Sequence, residues 1–253
     1  MGAVMIRMLA VIANHNHNTN AIALREGFRS VLGDDALLID SGSNIIESER
    51  QHFDDCQKNI YYSGLLNRAF EHGANLEADE PILFICSDVE IADPSAMVAR
   101  VAQVFADRRL KVWGPSSYGS GHPQMWPRGQ GRLRVVSFVE GFCFAARKEV
   151  LARICPIDLS VNRLGWGLDK QLGYFAGLEE GYCAVDDRVE VFHPKETGYN
   201  TEEASKQRHA WNKGFHISAR LFQVLATMPG FRAGPGCGLL RNLTAGWGRL
   251  AQN

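Results

Sequence analysis

Unbroken apolar runs alternate with helical stripes through the first half of this chain. Leu9-Ala-Val-Ile-Ala13, Ala36-Leu-Leu-Ile-Asp40 and Pro81-Ile-Leu-Phe-Ile-Cys86 lack the polar residue at every second place that marks a half-exposed strand. Such continuity belongs to strands buried on both faces. Helices are expected over Ala21 to Leu32, over Tyr62 to His72, and over Pro94 to Asp107, the last started by Ala92-Asp93-Pro94. Strands that alternate with helices argue an α/β fold, a mixed and mainly parallel sheet flanked by helices, whose ligands bind beyond the strands' carboxyl ends. Asn14, Asp40 and Asp88 all stand at such ends.

The second half is less regular. Lys111-Val-Trp-Gly114 reads as a short strand, and Leu133 to Ala145 as a strand pair broken at Glu140-Gly141. Between them, Pro115 to Gly131 is rich in Gly, Ser, Pro and His, and is either a substrate lid or a mobile connection. A short helix follows Arg147, another covers Lys170 to Leu178, and Val189-Glu-Val191 reads as a strand. Thr201 to Met228 is expected to be helical, and the Gly/Pro-rich tail shows no pattern. The expected division is one domain over 1–205 and a C-terminal helical extension and tail over 206–253. The apolar stripe of Ala219 to Met228 either docks on the first domain or makes a weak contact with a membrane surface.

Composition narrows the classes. The 253 residues are 45% hydrophobic, enough for a sizeable core, and a net charge of −1 gives no sign of a nucleic-acid partner. None of the six cysteines forms a Cys-x-x-Cys pair, and Cys86, Cys143 and Cys183 fall inside expected strands. That favours reduced, buried thiols and a cytoplasmic protein. Met1 to Ala13 is interrupted by Arg7 and lacks a small-residue cleavage pattern, so it reads as the first strand rather than a signal peptide.

Three residues carry the candidate chemistry. Asp88 ends an apolar strand, Asp169 opens a helix in Leu164-Gly-Trp-Gly-Leu-Asp169, and His193 follows a strand and precedes Pro194. Two carboxylates and an imidazole at one sheet edge suit a divalent cation that keeps positions open for phosphate. The bland alternatives are a helix N-terminal acid at Asp88, a helix cap at Asp169 with Trp166 in the core, and a structural His193.

In this order and spacing the residues resemble the GT-A nucleotide-sugar glycosyltransferases, in particular the broad family-2-like group, over about residues 8 to 205. The Trp-Gly-Leu-Asp stretch is also similar to the uncharacterised DUF707 family. The resemblance implies a GT-A, Rossmann-like fold and a metal-dependent inverting transfer of sugar from a nucleotide diphosphate, UDP foremost, to a hydroxyl of a glycan or glycoconjugate. It makes Asp88 and His193 ligands of Mn²⁺ or Mg²⁺, Asp169 the general base, and Trp166 and Gly141 acceptor contacts. Asp88 matches the last acid of the family's Asp-x-Asp; Cys86 stands where its first acid would be. Asn14, Asp40, Gly64, Asn67, Arg68, Ser87, Lys195 and Tyr199 match the nucleotide side. For Asp40 the alternative is an acid capping its own Ser-Gly-Ser-Asn44 loop; for Gly64 and Asn67, an ordinary helix face. His15 and His17 receive no role. A sugar-phosphate nucleotidyltransferase is the rival enzyme, opposed by the absence of a Gly-rich, basic phosphate loop after the first strand. A non-catalytic carbohydrate-binding protein of the same fold is the rival without chemistry.

Overall fold

The three apolar runs become three adjacent parallel strands at the heart of an eight-stranded sheet. The computed structural model describes residues 6–129, 131–178, 181–194 and 200–215. Its strands are β1 (Leu9–Asn14), β2 (Ala36–Ser41), β3 (Asp55–Gln57), β4 (Pro81–Cys86), β5 (Leu110–Ser116), β6 (Leu133–Val136), β7 (Cys143–Arg147) and β8 (Tyr182–Glu190). They lie in the order β3-β2-β1-β4-β7-β5-β8-β6. The helices are α1 (Asn18–Leu32), α2 (Tyr61–His72), α3 (Pro94–Val104), α4 (Lys148–Leu151), α5 (Leu159–Asn162), α6 (Leu168–Ala176) and α7 (Thr201–Phe215).

β1, fully buried along its length, sits between β2 and β4, which explains why its run carries no polar residue before Asn14. β7 enters antiparallel between β4 and β5, so the sheet is mixed as well as mainly parallel. This also corrects the expected strand pair: β6 pairs with β8, not with β7. The break at Glu140-Gly141 is not a hairpin turn. Val139 and Phe142 around it are buried, and they carry the chain from the sheet's edge back into its middle. β3 was not anticipated at all. Three polar, half-buried residues at an edge leave no hydrophobic period to read.

Local chemistry sets several element ends. Asp93 accepts a hydrogen bond from the Ala96 N–H and Pro94 opens α3, a cap followed by a residue with no N–H to satisfy. The segment 115–129, expected as a lid or a mobile connection, is tied down instead. Met125 is fully buried, Gln124 Nε2 donates to the Phe138 carbonyl at 2.6 Å, and Trp126 Nε1 donates to the Ser120 carbonyl at 2.9 Å. Cys143 and Cys183 are buried in strands, and all five described cysteines are free thiols.

The division at residue 205 falls inside α7, a continuous helix. Trp211 is 7% exposed and its Nε1 donates to Gln171 Oε1 at 2.6 Å. Gln207 accepts from the Leu164 N–H at 3.1 Å, and Glu203 pairs with Arg163. The start of the extension therefore belongs to the core of the first domain. The rest of the expected helix to Met228, with its docking or membrane contact, and the tail lie outside the described residues. No described helix is long and apolar enough to cross a membrane.

Trp211→Ala should therefore cost about 3–5 kcal/mol, the usual range for emptying a buried aromatic site. Chemical denaturation measures it, and a loss near zero would show that α7 contributes nothing to the core.

Candidate active site

The site begins with a two-residue bridge. Just beyond β4, the Glu90 N–H donates to the Phe192 carbonyl at 2.8 Å, and the Phe192 N–H returns a bond to Glu90 at 3.2 Å. This sets the turn after β4 beside the chain leaving β8. Asn20 of α1 straps the same turn, donating from Nδ2 to the carbonyls of Ser87 and Val89 at 2.7 and 3.0 Å. As a result His193 Nε2 stands 3.3 Å from Asp88 Oδ2. The imidazole lies flat on Phe142, centroids 4.4 Å apart and planes within 9°. Gly119 is required here, because a Cβ at that position would come 1.8 Å from the His193 carbonyl oxygen.

Asp88 is built as a carboxylate. Burial pushes its pKa up, but the hydrogen bond and charge of His193 prevail and hold it below the ordinary value. Its other oxygen, Oδ1, is buried and accepts no hydrogen bond. A buried carboxylate oxygen without a partner is costly, and a cation removes the cost.

Asp169 lies in the first turn of α6, reached through a loop that only glycine permits. Gly165 and Gly167 have φ of +80° and +91°. A Cβ on Gly165 would fall 2.2 Å from the Tyr62 ring, and one on Gly141 would fall 2.5 Å from the Tyr62 hydroxyl. That hydroxyl donates to the Gly141 carbonyl at 2.7 Å. Burial raises the Asp169 pKa; the Lys170 N–H at 2.8 Å and the charges of Lys170 and His122 oppose the rise, and Glu140 adds to it. Asp169 is a carboxylate made more basic than usual.

A cleft of about 470 Å³ joins these parts. Asp88, His193, Asp169, Trp166 and Gly141, scattered through the sequence, all line it. So do Tyr62, His122, Glu140, Phe142, Lys170 and Arg208, which sequence reasoning gave no role. Glu140 accepts a short hydrogen bond from Ser120, whose hydroxyl is buried. The one hint of it in the sequence was an acid interrupting an apolar stretch before Gly141.

The residues matched to the nucleotide side do not line this cleft. Asp40 is 1% exposed; its Oδ1 accepts from Asn14 Nδ2 at 2.8 Å and its Oδ2 from the Ser43 N–H at 2.9 Å. Its carboxylate thus caps its own loop. Asn14 joins that network, reaching Asn18 and Ser43 as well. Asn67 exchanges two hydrogen bonds with the backbone of Ile157, and Arg68 pairs with Asp55 and Glu71. Gly64 is buried in α2 against Ile60. Ser87 is buried, its N–H donating to Ala13. Lys195 and Tyr199 lie outside the described residues.

Among the described residues no three His, Cys, Asp or Glu side chains gather as a metal cluster. Cys86 lines the cleft as well, and burial and then the Asp88 charge push its thiol well above its ordinary pKa. Asp88 and His193 with an orphaned oxygen nonetheless fit a divalent ion that completes its shell with water and phosphate.

No protein-family model matches the sequence, and no curated protein does. Solved structures do match. The mannosyltransferase PcManGT of Pyrobaculum calidifontis, in complex with GDP-Man and Mn²⁺, superposes with a TM-score of 0.58 over 94% of this chain and 79% of its own. The fold is GT-A. GalNAc-T7 with UDP, GalNAc and Mn²⁺ gives 0.59 over 79% of this chain, and S. aureus TarS gives 0.55 over 87%. Identities are 13%, 13% and 14%, respectively. The chain spans 46% of the GalNAc-T7 structure and 42% of that of TarS. In this GT-A sheet the cleft opens beyond the carboxyl end of β4, where open α/β sheets place their ligands.

The raised pKa of Asp169 has a consequence for stability. The folded chain holds that proton to a higher pH than the unfolded chain does. Stability from this group is therefore full at acid pH and declines as pH rises through the folded value. Above the folded value the ionised carboxylate is a net cost. Asp169→Asn should melt at an equal or higher temperature than the parent at pH 7, with the advantage fading below about pH 3.9. Thermal unfolding across pH measures this; a lower melting temperature at pH 7 contradicts the raised value.

Proposed function

We propose that this chain is a metal-dependent glycosyltransferase that transfers a sugar, with inversion, from a nucleotide diphosphate donor to an acceptor hydroxyl of a glycan or glycoconjugate. UDP is the favoured nucleotide. One observation carries the reading: in a GT-A fold, the partnerless buried oxygen of Asp88 shares a cleft with a carboxylate of raised basicity, Asp169. GalNAc-T7 was solved with UDP and Mn²⁺, and PcManGT with GDP-Man and Mn²⁺, which supports a nucleotide-sugar donor and a divalent ion here.

Asp88 and His193 would hold Mn²⁺ or Mg²⁺, which when bound supplies Lewis-acid neutralisation of the departing diphosphate. Phe142 fixes the imidazole plane, so the pair meets its ligand with little reorganisation. Asp169 accepts the acceptor hydroxyl's proton as that oxygen attacks the anomeric carbon from the face opposite the leaving group. A positioned base of this kind contributes about 10²–10⁴-fold. Direct attack by the acceptor inverts the anomeric centre. Trp166 offers the acceptor ring a flat surface at the cleft wall. Gly141, whose carbonyl accepts from the Tyr62 hydroxyl, would contact that ring through its backbone. The buried free thiols suit a reducing, cytoplasmic setting.

The rival nucleotidyltransferase finds no support in the loop after β1, where Asn14 is spent on Asn18, Asp40 and Ser43. A purely carbohydrate-binding role gives no reason for a carboxyl of raised pKa to stand in the cleft.

Calorimetry of UDP with and without Mn²⁺ tests the donor side. Asp88→Ala should lose the Mn²⁺-dependent part of the affinity, and unchanged affinity sinks the metal assignment.

Asp169→Asn should abolish transfer while leaving UDP and Mn²⁺ binding nearly intact. In the parent, the rate of transfer should fall on the acid side with a midpoint above the ordinary aspartate range, because protonation removes the base. NMR of the product should show an inverted anomeric linkage; a retained linkage rejects this mechanism.

A further inference from the structure

Among the described residues, all but two of the partly buried lysines and arginines are matched with carboxylate or main-chain oxygen, and those two line the cleft. Arg25, Arg68, Arg100, Arg134 and Arg163 each pair with a carboxylate. Arg147 is met by main-chain carbonyls, as is Lys148, and Lys111 pairs with Glu149. Arg208 and Lys170 are likewise partly withdrawn from solvent, yet neither makes an ion pair with any described carboxylate.

Both are held in place by weaker contacts, and the Lys170 charge also acts on the neighbouring Asp169. The Arg208 guanidinium lies over the Trp166 ring at 5.8 Å and gives a hydrogen bond to Ser205 Oγ at 3.2 Å. Lys170 Nζ sits over the Phe138 ring at 5.6 Å. An aromatic face steadies a cation but leaves its charge available. The loop also makes room for one of them. A Cβ on Gly167, itself at φ +91°, would stand 3.0 Å from Arg208 Cγ. A charge drawn into a cleft without a counter-ion is costly unless a ligand supplies one.

The position of the two cations says which ligand. Lys170 follows Asp169 in α6, and Arg208 packs on Trp166 and Gly167 just ahead of it. Lys170 thus belongs to the helix that presents the base and Arg208 of α7 packs against the loop that leads into it, whereas Asp88 and His193 sit on the turns after β4 and β8. Glu140, the remaining carboxylate of the cleft, is occupied by the Ser120 hydroxyl. We propose that the acceptor carries an anionic group, a phosphate monoester matching the two cations best, which Arg208 and Lys170 grip while a neighbouring hydroxyl faces Asp169. The guanidinium fork suits paired phosphate oxygens, and the ammonium adds a point charge. This rests on the glycosyltransferase reading and names the acceptor class for it.

The test is calorimetry on the full chain, saturated with UDP and Mn²⁺, with glucose 6-phosphate and glucose as the two probes. Charge-assisted hydrogen bonds of the usual strength make the phosphosugar at least about tenfold tighter. Replacing Arg208 and Lys170 together by Gln should bring the two probes within about threefold of each other, by removal of the same bonds. Arg208→Lys, which keeps the charge, should retain most of the preference; unchanged near-ultraviolet circular dichroism checks that each variant is folded. Equal affinities for the two probes in the parent chain overturn the proposal. So does displacement of the phosphosugar by UDP, since the cations would then serve the donor's diphosphate. Repeating the titration without UDP separates the two readings. A chain that ignores UDP but still prefers the phosphosugar through Arg208 keeps the anion site and loses the donor.

Discussion

The site depends on the pair of hydrogen bonds between Glu90 and Phe192. These two backbone contacts join the turn after β4 to the end of β8, strands separated in the sheet by β7 and β5. With them, a carboxylate is held 3.3 Å from an imidazole, and one of its oxygens is left buried and unmatched. Folding energy from a large apolar sheet is what sustains that local cost. Glycine at position 119 is part of the same arrangement, since any side chain there would strike the His193 carbonyl.

The opposite wall of the cleft shows the same economy. Tyr62 is clasped by Gly141 and Gly165, and Arg208 crosses over Gly167, so three glycines let two large side chains reach the cleft. Two of those glycines adopt positive φ, which shapes the loop that delivers Trp166 and Asp169. α7 then closes this wall through Gln207, Trp211 and Arg208. The wall also carries Asp169, a carboxyl of raised pKa, and two cations that form no ion pair with a described carboxylate.

Several roles could not be read from the sequence because they depend on which partner a polar group finds. Asp40 and Arg68 have residue types that suit a nucleotide; in the fold Asp40 caps its loop and Arg68 pairs with Asp55, a partner that the sequence did not indicate. An acid after a strand looks the same whether it caps a turn or meets a ligand. Arg208 and Glu140 were invisible for the converse reason. Nothing in their neighbourhoods along the chain distinguishes them from ordinary surface charge, and their importance comes from what lies across the cleft.

What the sequence determined by itself is the layered α/β architecture and the positions of its chemistry-bearing ends. Continuous apolar runs can be satisfied only between other strands and beneath helices, so β1, β2 and β4 were legible as central parallel strands. The places of Asp88, Asp169 and His193 at element boundaries were legible as well. Tertiary structure decided the rest. It placed β7 in the middle of the sheet rather than beside β6, made α7 part of the core, and chose which polar groups would be consumed internally and which left facing the cleft. Those outcomes are set by long-range packing and by competition among hydrogen-bond partners, and neither leaves a periodic trace along the chain.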